Sequence, residues 1–563
     1  MAITKSAKYF LMVIIICIPN LTLANTYSAI NYTITPEFTG NVPFIKVEAE
    51  IKGQLSDKVF VDFPYKWAGS DYSKQIKNIK LNHPKGKIKF KKHNSNYVVI
   101  TIPKTNSISL SYEIYQKPGN PAHVHETMIR KDLVHTTGYG IFATPNELKD
   151  IKDRKIEVSI TWKNIPKEWK ALSSYGTDEF LRFTTSVPQL LHALYVAGNL
   201  RIYQIGGSHA PVYLSLYGNF DWKDDLIISD ISEIIKTQRS FFNDHDFPYY
   251  AISLIEGDDP NSMGGTGLYN SFTMYIPKGI GRLKYYTYLA HEHLHTWVVG
   301  KIHIHKDEQE ELNYWWSEGF TDYYSRVLAL RSGGLSIEEF IDECNQFLRS
   351  YYLSPVLNES NERIKQDFWK NYDVGKLPYY RGFVFAIYLN QLIKKNNPDN
   401  LLDNVMLDLF KDAKRYKFSA KHFKNVIKPY IPQGIDKEIS MYIDQGKTIE
   451  LNNMVPFLPL EKTTMGAYDI GFVKQEPSKE KVIKKIDKKS NAYKAGLRKG
   501  DKIIVWSVPR GYDPDQIITI KTTNKTFEFR PESQDKKKLY QLKSNLSAED
   551  KIKIKKFFGM GSE

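Results

Sequence analysis

The stretch that decides the fold and the chemistry of this chain is YLAHEHLHTW, residues 288–297. It contains H-E-x-x-H, with His291 and His295 four positions apart, and the apolar residues around the pattern predict a buried helix. Four residues make about one helical turn, so both imidazoles project from one face and can reach a single Zn²⁺. Glu292 lies beside the pair, where its carboxylate can contact a water molecule on the ion. The stretch therefore predicts a helix that carries two metal ligands and a general base.

A zinc site that keeps one position open for catalysis needs a third protein ligand. The segment WWSEGFTDYY, residues 315–324, offers Glu318 at the start of a second predicted helix and Asp322 one turn later on the same face. We predict that Glu318 completes the ligand set for one zinc ion per chain. We also predict that Asp322 accepts an N–H from a ligand histidine. The alternative role for Glu318 is to stabilise a helix N-terminus by its charge.

Neither the remaining histidines near this site nor the cysteines are predicted to take part in catalysis. His293 points to another face of the same helix, and His303 with His305 forms an H-x-H pair typical of surface side chains. Cys17 belongs to the N-terminal apolar run, which leaves Cys344 without a cysteine to pair with. We therefore predict that Cys344 is a buried structural thiol and not a nucleophile.

The beginning of the chain has the pattern of a secretory signal. Lys5 and Lys8 accompany an apolar run over Tyr9–Ile18, and Thr22–Ala24 offers small residues for cleavage. The run is shorter than the roughly 20 residues of a membrane span. We predict that residues 1–24 are removed during export to the periplasm or the medium, which leaves no stable membrane insertion. An uncleaved anchor is the alternative.

Length and patterning predict several domains and a multidomain α+β fold. The 563 residues are enough for three or more domains, and 42% apolar with 25% charged residues is an ordinary globular composition. Alternating β-branched and aromatic residues over 25–180 predict a β-sandwich-like domain. Helical spacing dominates the catalytic domain, 181–455, short strands return over 456–535, and the lysine-rich residues 536–563 predict a solvated tail or helix. The helices expected in the catalytic domain are Leu226–Asn243, Leu283–Val299, Trp316–Arg331, Ile337–Tyr352, Tyr380–Lys395 and Asn400–Phe410.

The net charge of +15 is compatible with a nucleic-acid or membrane partner. The lysines are spread along the whole chain, however, and no nucleic-acid-binding motif accompanies them. We interpret the charge as a solvated basic surface and expect no nucleic-acid partner.

Three motifs, in their order along the chain, resemble a known family. H-E-x-x-H is followed by W-x-x-E-G-F-x-x-Y from Trp315 and by P-Y-x-R-G at residues 378–382. This combination resembles the gluzincin clan of thermolysin-like zinc metallopeptidases, and within it the glycyl aminopeptidase family, which carries a PDZ domain. The resemblance implies a thermolysin-like catalytic domain in which Tyr379 stabilises the oxyanion of the tetrahedral intermediate. A phenol donor near the metal suits that role, and Tyr380 is the competing candidate.

The segment MGGTGLYNS, residues 263–271, resembles the glycine-rich substrate strand of that family. Glycines there let a peptide backbone approach the strand edge, and the predicted substrate-binding residues are Gly264, Gly265, Thr266 and Gly267. Family members commonly carry a glutamate after the glycines that holds the amino terminus of the substrate, whereas this chain has Gly267 at that position. An aminopeptidase is still the expected activity, and an endopeptidase or a relaxed exopeptidase is the alternative. The carboxylates that could substitute for the missing glutamate are Glu256, Asp258 and Asp259.

The C-terminal part resembles a PDZ domain. Residues 490–504 match its helix-to-strand segment, and DIGF, residues 469–472, takes the place of its carboxylate-binding loop. Asp469 replaces the usual first glycine, and its charge would repel the C-terminus of a peptide. Two roles stay open for this PDZ-like domain, binding of a peptide ligand and packing against the catalytic domain.

The predicted activity is hydrolysis of peptide bonds in peptide or protein substrates, with Glu292 as the general base. The rival from another class is a catalytically idle PDZ-containing protein that binds or scaffolds partners. The intact H-E-x-x-H argues against this rival, because an idle site has no physical need for Glu292.

Overall fold

The chain forms two compact units. The computed structural model describes residues 25–38, 40, 42–90, 97–117, 124–206, 210–245, 249–257, 263–451, 457–474, 482–507 and 511–561. The first unit comprises Met1–Pro121 with His125–Asn199, and the second comprises Ala122–Val124 with Leu200–Glu563. The predicted signal segment, residues 1–24, lies outside the described residues.

The first unit is built mainly of β-strands. A six-stranded sheet has the order β15-β13-β1-β2-β9-β6, two four-stranded sheets have the orders β10-β11-β16-β14 and β12-β3-β8-β7, and β4 pairs with β5. The strands are β1 (Thr26–Glu37), β2 (Phe44–Leu55), β3 (Lys58–Asp62), β4 (Lys66–Trp67), β5 (Ser70–Asp71), β6 (Ile76–Leu81), β7 (Lys87–Phe90), β8 (Tyr97–Thr101), β9 (Thr105–Tyr115), β10 (Met128–Arg130), β11 (Leu133–Thr137), β12 (Thr144–Pro145), β13 (Lys155–Trp162), β14 (Lys170–Ser173), β15 (Phe180–Ser186) and β16 (Leu194–Gly198). Two short helices, α1 (Gly138–Ile141) and α2 (Val187–Leu191), and a 3₁₀ turn at Asn146–Leu148 connect them.

The first unit extends to Asn199, past the boundary near 180 that the sequence suggested. The reason is strand pairing, because β15 bonds to β13 and β16 bonds to β11, both of which belong to sheets of the first unit. Alternation along β1 buries Ile30, Tyr32 and Ile34 on one face, as a half-buried strand requires. The Tyr32 hydroxyl donates to the Ala143 carbonyl at 2.8 Å, which satisfies its polar end inside the core. The predicted β-rich front of the chain is confirmed.

The second unit combines one mixed sheet with a set of helices. Its strands are β17 (Arg201–Ile205), β18 (Val212–Tyr217), β19 (Tyr250–Gly257), β20 (Gly264–Leu268), β21 (Ser271–Pro277), β22 (Leu460–Tyr468), β23 (Phe472–Lys474), β24 (Ile483–Ile486), β25 (Ile503–Ser507), β26 (Ile518–Thr522), β27 (Thr526–Phe529) and β28 (Glu532–Leu542). Its helices are α3 (Asp224–Phe242), α4 (Arg282–Leu294), α5 (Tyr314–Ser317), α6 (Gly319–Ser332), α7 (Ile337–Tyr352), α8 (Asn361–Asp367), α9 (Tyr372–Asn396), α10 (Leu402–Asp412), α11 (Ala420–Ile427), α12 (Asp436–Glu438) and α14 (Ala548–Phe557), with the one-turn α13 at Asn491–Lys494. A 3₁₀ turn at Glu310–Asn313 and a π-helical turn at Ile439–Asp444 complete the set.

The mixed sheet has the order β17-β18-β19-β21-β20. Strands β18, β19 and β21 run parallel, and β20 pairs antiparallel with β21 at the edge of the sheet. The helices α3 and α4 contribute to one hydrophobic core with this sheet, which includes Ile231, Leu254 and Leu289. The sheet therefore places the glycine strand β20 beside the helix that carries H-E-x-x-H.

Three of the predicted helices in this unit differ clearly from the structure, and one of them, Trp316–Arg331, is divided at Glu318 into α5 and α6. The helix α9 begins at Tyr372 and not at Tyr380, because the Asn371 side chain caps it by accepting the amide N–H groups of Asp373 and Val374. The helix α4 ends at Leu294, earlier than the predicted end. In the part of the chain that the structure describes, no helix has the length and apolar character that a membrane crossing requires.

Residues 457–561, here called the C-terminal region, correct a further prediction. The sequence predicts a solvated tail or helix over residues 536–563, whereas the structure has the end of β28, which pairs with β22, before the helix α14. Ile554, Phe557 and Phe558 are buried in the main core of the second unit. A few apolar positions among many lysines determine the packing of this stretch. Its lysine-rich composition therefore did not indicate that part of it is buried.

Candidate metal centre

Side chains of α3 hold the helix α4 on the face opposite to His291 and His295. The Gln238 side chain donates to the Ala290 carbonyl at 2.7 Å, and its oxygen lies 2.7 Å from Nδ1 of His293. At the start of α4, Arg282 pairs with the buried Asp230 of α3 at 2.5 Å. These bonds use the rear face of α4, where His293 lies, and set the rotation of the helix. The opposite face, with His291 and His295, then points toward α6.

Three donor side chains converge on one point. The Nε2 atoms of His291 and His295 are 3.1 Å apart, and Oε2 of Glu318 lies 3.4 Å and 3.7 Å from them. A tetrahedral zinc ion with bonds of roughly 2.0–2.1 Å needs donors about 3.3 Å apart. The donor atoms found here lie within 4.8 Å of one another, and they form the one such group among the described residues. The arrangement fits a zinc ion with three protein ligands.

The charges around the donors also favour a cation. Burial opposes a charged imidazole, but Asp322 and Glu318 nevertheless raise the pKa of His291 to about 10. The histidines hold the pKa of Glu318 well below its usual range although burial acts in the opposite direction. Carboxylates that stabilise a protonated imidazole stabilise a metal cation equally.

Glu318 lies at an interruption between two helices. It lies between α5 and α6 with φ −103° and ψ −48°. Gly319 and Gly382 face each other where α6 meets α9, and a Cβ on either glycine would collide with the backbone of the opposite helix. The glycines of E-G-F and P-Y-x-R-G therefore allow the helix of Glu318 and the helix of Tyr379 to approach closely.

A chain of charged groups orients His291. Its Nδ1 lies 3.0 Å from Oδ1 of Asp322, and Arg326 donates to the same oxygen at 2.7 Å. Arg326 in turn donates to Glu343 of α7 at 3.1 Å. Burial alone would raise the pKa of Asp322, but His291 and Arg326 lower it. Sequence reasoning missed Arg326 and Glu343; Arg326 lies one turn after Asp322, whereas Glu343 has no signal in the local sequence.

Glu292 lies between the histidines in sequence and against the glycine strand in space. Its side chain is 8% exposed, and burial raises the pKa of its carboxyl group. A Cβ on Gly265 would lie 2.6 Å from the carboxyl carbon of Glu292. A Cβ on Gly267 would lie 3.3 Å from Cβ of His295, whereas a Cβ on Gly264 would meet open space. Alternate positions of β20 thus face α4, and any side chain at Gly265 would displace the predicted base.

The two tyrosines of P-Y-x-R-G point in different directions. The ring of Tyr379 lies nearly parallel to that of His291, with centroids 6.4 Å apart. The ring of Tyr380 instead packs against Phe347 and Tyr512, at 5.9 Å and 6.1 Å. Burial, with the nearby charge of Glu318, raises the pKa of Tyr379, so its hydroxyl keeps its proton. The structure therefore places Tyr379 and not Tyr380 beside the candidate metal ligands.

The other described residues singled out from the sequence are not among the donor side chains of this cluster. His303 and His305 are exposed, as expected for surface histidines. Cys344 is buried in α7, and burial raises its pKa, which fits a structural thiol. Glu256 pairs with Lys278 at 2.8 Å and accepts the Asn219 amide, while Asp258 and Asp259 lie outside the described residues.

Two family models match the chain. Residues 284–376 match the model described as M61 glycyl aminopeptidase, and residues 44–186 match the Peptidase M61 N-terminal domain. No curated protein matches the chain. The two family models support a peptidase, and the first of them spans the donor residues His291, His295 and Glu318.

The chain is similar to solved structures in its fold, although the sequence identities are low. The chain is similar to an aminopeptidase N family protein from Idiomarina loihiensis, with 16% identity, a TM-score of 0.71, and coverage of 93% of this chain and 99% of that one. It is also similar to an M1 zinc metallopeptidase from Deinococcus radiodurans, with 13% identity, a TM-score of 0.47, and coverage of 76% of this chain and 96% of that one. The first likeness shows a shared multidomain α+β fold over nearly the whole chain.

Proposed function

We propose that this chain is a zinc-dependent peptidase of the M61 glycyl aminopeptidase family that holds one zinc ion with His291, His295 and Glu318. The observation that carries the proposal is the convergence of these three donors with Glu292 beside them. The match of residues 284–376 to the M61 model supports it independently of the geometry. The cluster argues against the idle scaffold. Burying these charged groups costs free energy, and a scaffold that binds no metal has no use for them.

The residues around the centre divide the work of hydrolysis among them. His291, His295 and Glu318 would hold a zinc ion, which would acidify a water molecule and polarise the scissile carbonyl. Glu292 accepts the proton of that water as it attacks and returns it to the leaving amine. Tyr379 donates a hydrogen bond to the carbonyl oxygen as negative charge develops there. Asp322, held by Arg326, keeps the His291 ring in the tautomer that binds metal through Nε2.

We infer that the substrate lies along the edge strand β20. Among the described residues β20 is the last strand in the order of its sheet, and its glycines face both α4 and open space. An extended peptide that pairs with Gly264–Gly267 would run past Glu292 and the zinc ligands. This supports the predicted substrate-binding residues Gly264, Gly265, Thr266 and Gly267.

Aminopeptidase action is the proposed specificity, and endopeptidase or relaxed exopeptidase action is the alternative. The structure narrows the choice of a substitute for the missing glutamate after the glycines. Glu256 is engaged with Lys278 and the Asn219 amide, so it is a poor candidate for holding an amino terminus. The M61 glycyl aminopeptidase match favours exopeptidase action.

Export and the PDZ-like domain remain parts of the proposal. We propose that residues 1–24 direct the chain to the periplasm or the medium, on the sequence pattern alone. For the PDZ-like domain, residues 490–504 contain the one-turn helix α13, Gly496 and Gly500 at positive φ, and the start of β25, which supports the proposed helix-to-strand segment. Asp469 accepts the Gly471 amide at 2.7 Å, so the loop amide that would meet a peptide carboxylate is already engaged. This favours packing over capture of a peptide C-terminus.

The test is hydrolysis of a mixed peptide library by the purified chain, with and without a zinc chelator. We expect cleavage that the chelator abolishes and that added zinc restores. Sequencing of the products separates the alternatives, since an aminopeptidase removes single residues from free amino termini. Internal cleavage would favour the endopeptidase, and no chelator-sensitive cleavage would overturn the proposed function in favour of the scaffold.

A further inference from the structure

The C-terminal region contacts the first turns of α9, the helix that carries Tyr379. The Tyr512 hydroxyl donates to Oδ1 of Asp373 at 2.9 Å, within the first turn of that helix. The Tyr512 ring lies edge-on to that of Tyr380, with centroids 6.1 Å apart and an interplanar angle of 79°. One side chain thus holds two points of α9, before and after the proline at position 378. Tyr512 itself is 5% exposed, and its hydrogen bond to Asp373 is partly buried.

This part of α9 depends on outside support. Pro378 lies inside the helix and has no N–H, so it cannot form the hydrogen bond to the Val374 carbonyl. The turn before Tyr379 is therefore joined to the rest of the helix less firmly than an uninterrupted turn. On one side Ile364 of α8 packs against Val374 and Leu377. Tyr512 supplies contacts from a different element.

The segment that carries Tyr512 is itself fastened to α7. Asp513 pairs with Arg349 at 3.1 Å, and a Cβ on Gly511 would collide with Oγ of Ser350. Gly511 has φ +76°, a conformation that suits glycine. Between β25 and β26 the described residues 511–517 contain no helix. Within the described residues 511–517, Gly511 and Asp513 contact α7, and the buried Tyr512 between them contacts α9.

We propose that Tyr512 is a positioning residue for Tyr379, which makes the C-terminal region a support for the catalytic tyrosine. This inference rests on the proposed function, in which Tyr379 donates to the developing oxyanion. Tyr512 fixes the start of α9 through Asp373 and the next residue of the motif through Tyr380. The hydroxyl of Tyr379 is then held in the orientation that donates to the carbonyl oxygen of the substrate. Small displacements of such a donor reduce the rate of the chemical step more than substrate binding.

The test compares Tyr512→Phe with Tyr540→Phe. Tyr540 is a matched control, because it also belongs to the C-terminal region and its hydroxyl donates to a carboxylate, Glu450, at 3.0 Å. Its ring packs on Tyr352 of α7 and not on α9. We expect Tyr512→Phe to lower kcat about fivefold with KM and zinc content unchanged, and Tyr540→Phe to leave kcat unchanged. Equal kcat values for wild type and Tyr512→Phe would overturn the inference and leave the proposed function standing.

A double-mutant cycle identifies the route of the effect. In a Tyr379→Phe background, Tyr512→Phe should cause no further loss of kcat, because the donor it positions is gone. An undiminished fivefold loss in that background would show that Tyr512 acts elsewhere, and the inference would fail.

Amide hydrogen exchange gives a readout that needs no substrate. We expect the amides of residues 372–377, 379 and 380 to exchange about 3- to 10-fold faster in Tyr512→Phe and at the wild-type rate in Tyr540→Phe. Unchanged exchange over 372–380 would overturn the inference. If the wild-type chain hydrolyses no peptide, the proposed function fails, and the exchange result still decides whether Tyr512 holds the start of α9.

Discussion

Two histidine pairs lie close together in the chain but differ in their spacing, their burial and the groups that they face. His291 and His295 are four positions apart on and just after α4, largely buried, and face Glu318. His303 and His305 are two positions apart, exposed, and directed toward a backbone carbonyl and an exposed aspartate. Spacing alone could allow either pair to bind metal. The difference shows that burial and a nearby carboxylate, which make an empty site costly, distinguish a metal centre from surface histidines.

Replacing one histidine from each pair gives the largest expected difference. His291→Ala should lose bound zinc and reduce peptide hydrolysis to background, because two donors bind the ion far more weakly than three. His303→Ala should keep a full equivalent of zinc and wild-type activity. The measurements are metal analysis of the dialysed proteins and the initial rate of hydrolysis. A full zinc equivalent in His291→Ala would refute the ligand set.

Substitution of Glu292 separates zinc binding from catalysis. Glu292→Gln keeps the shape of the side chain but cannot accept a proton, so kcat should fall about 10³-fold while zinc is retained. Glu362→Gln on α8, an exposed glutamate, is the matched control and should change neither quantity. Normal turnover by Glu292→Gln would assign the general base to another group.

The adjacent tyrosines Tyr379 and Tyr380 allow the same kind of comparison between a residue that faces the candidate metal ligands and one that does not. Tyr379→Phe should lower kcat about 100-fold with unchanged zinc content, since one oxyanion donor is lost. Tyr380→Phe keeps the ring contacts with Phe347 and Tyr512, and its kcat should stay within about twofold of wild type. If the two variants exchanged these effects, Tyr380 would be the oxyanion donor.

The outer carboxylate should have a smaller effect than the ligands. Asp322→Asn leaves the three donors intact but weakens the support of His291, so zinc affinity should fall about 10- to 100-fold. With saturating zinc, its activity should return to near the wild-type value. Asp342→Asn, an exposed aspartate of α7, is the control for titration against a metal buffer. Unaltered zinc affinity in Asp322→Asn would contradict an orienting role.

A buried histidine of the first unit gives the smallest expected effect. Burial lowers the pKa of His135 to about 3, below the roughly 6.5 of an unfolded histidine. A lowered histidine pKa means that the unfolded chain binds the proton first, so this contribution to stability is present above pH 6.5 and is lost as the pH falls. At pH 5 the loss should be about 2 kcal/mol. Urea unfolding at pH 5 and pH 8 measures it, and His135→Leu should show a weaker pH dependence than His305→Leu.

The local patterns predicted the elements that carry the site, and the packing between elements was not predictable from them. H-E-x-x-H and Glu318 could be located because helical spacing is a local property. The extension of α9 to Tyr372 was missed because its cap, Asn371, precedes a proline that reads as a helix start. The C-terminal strand β28 was missed because its buried residues follow a run of exposed lysines.

By itself the sequence predicted the candidate zinc ligands, the proposed general base and the β-rich and helical parts of the chain, because these follow from spacings within one helix or strand. Only the tertiary structure decided which tyrosine faces the metal ligands, since that depends on the meeting of Gly319 and Gly382. It also decided that Arg326 and Glu343 support Asp322, and that Tyr512 reaches the start of α9. These contacts join residues far apart in the chain, and their geometry is set by how whole elements pack rather than by any local periodicity.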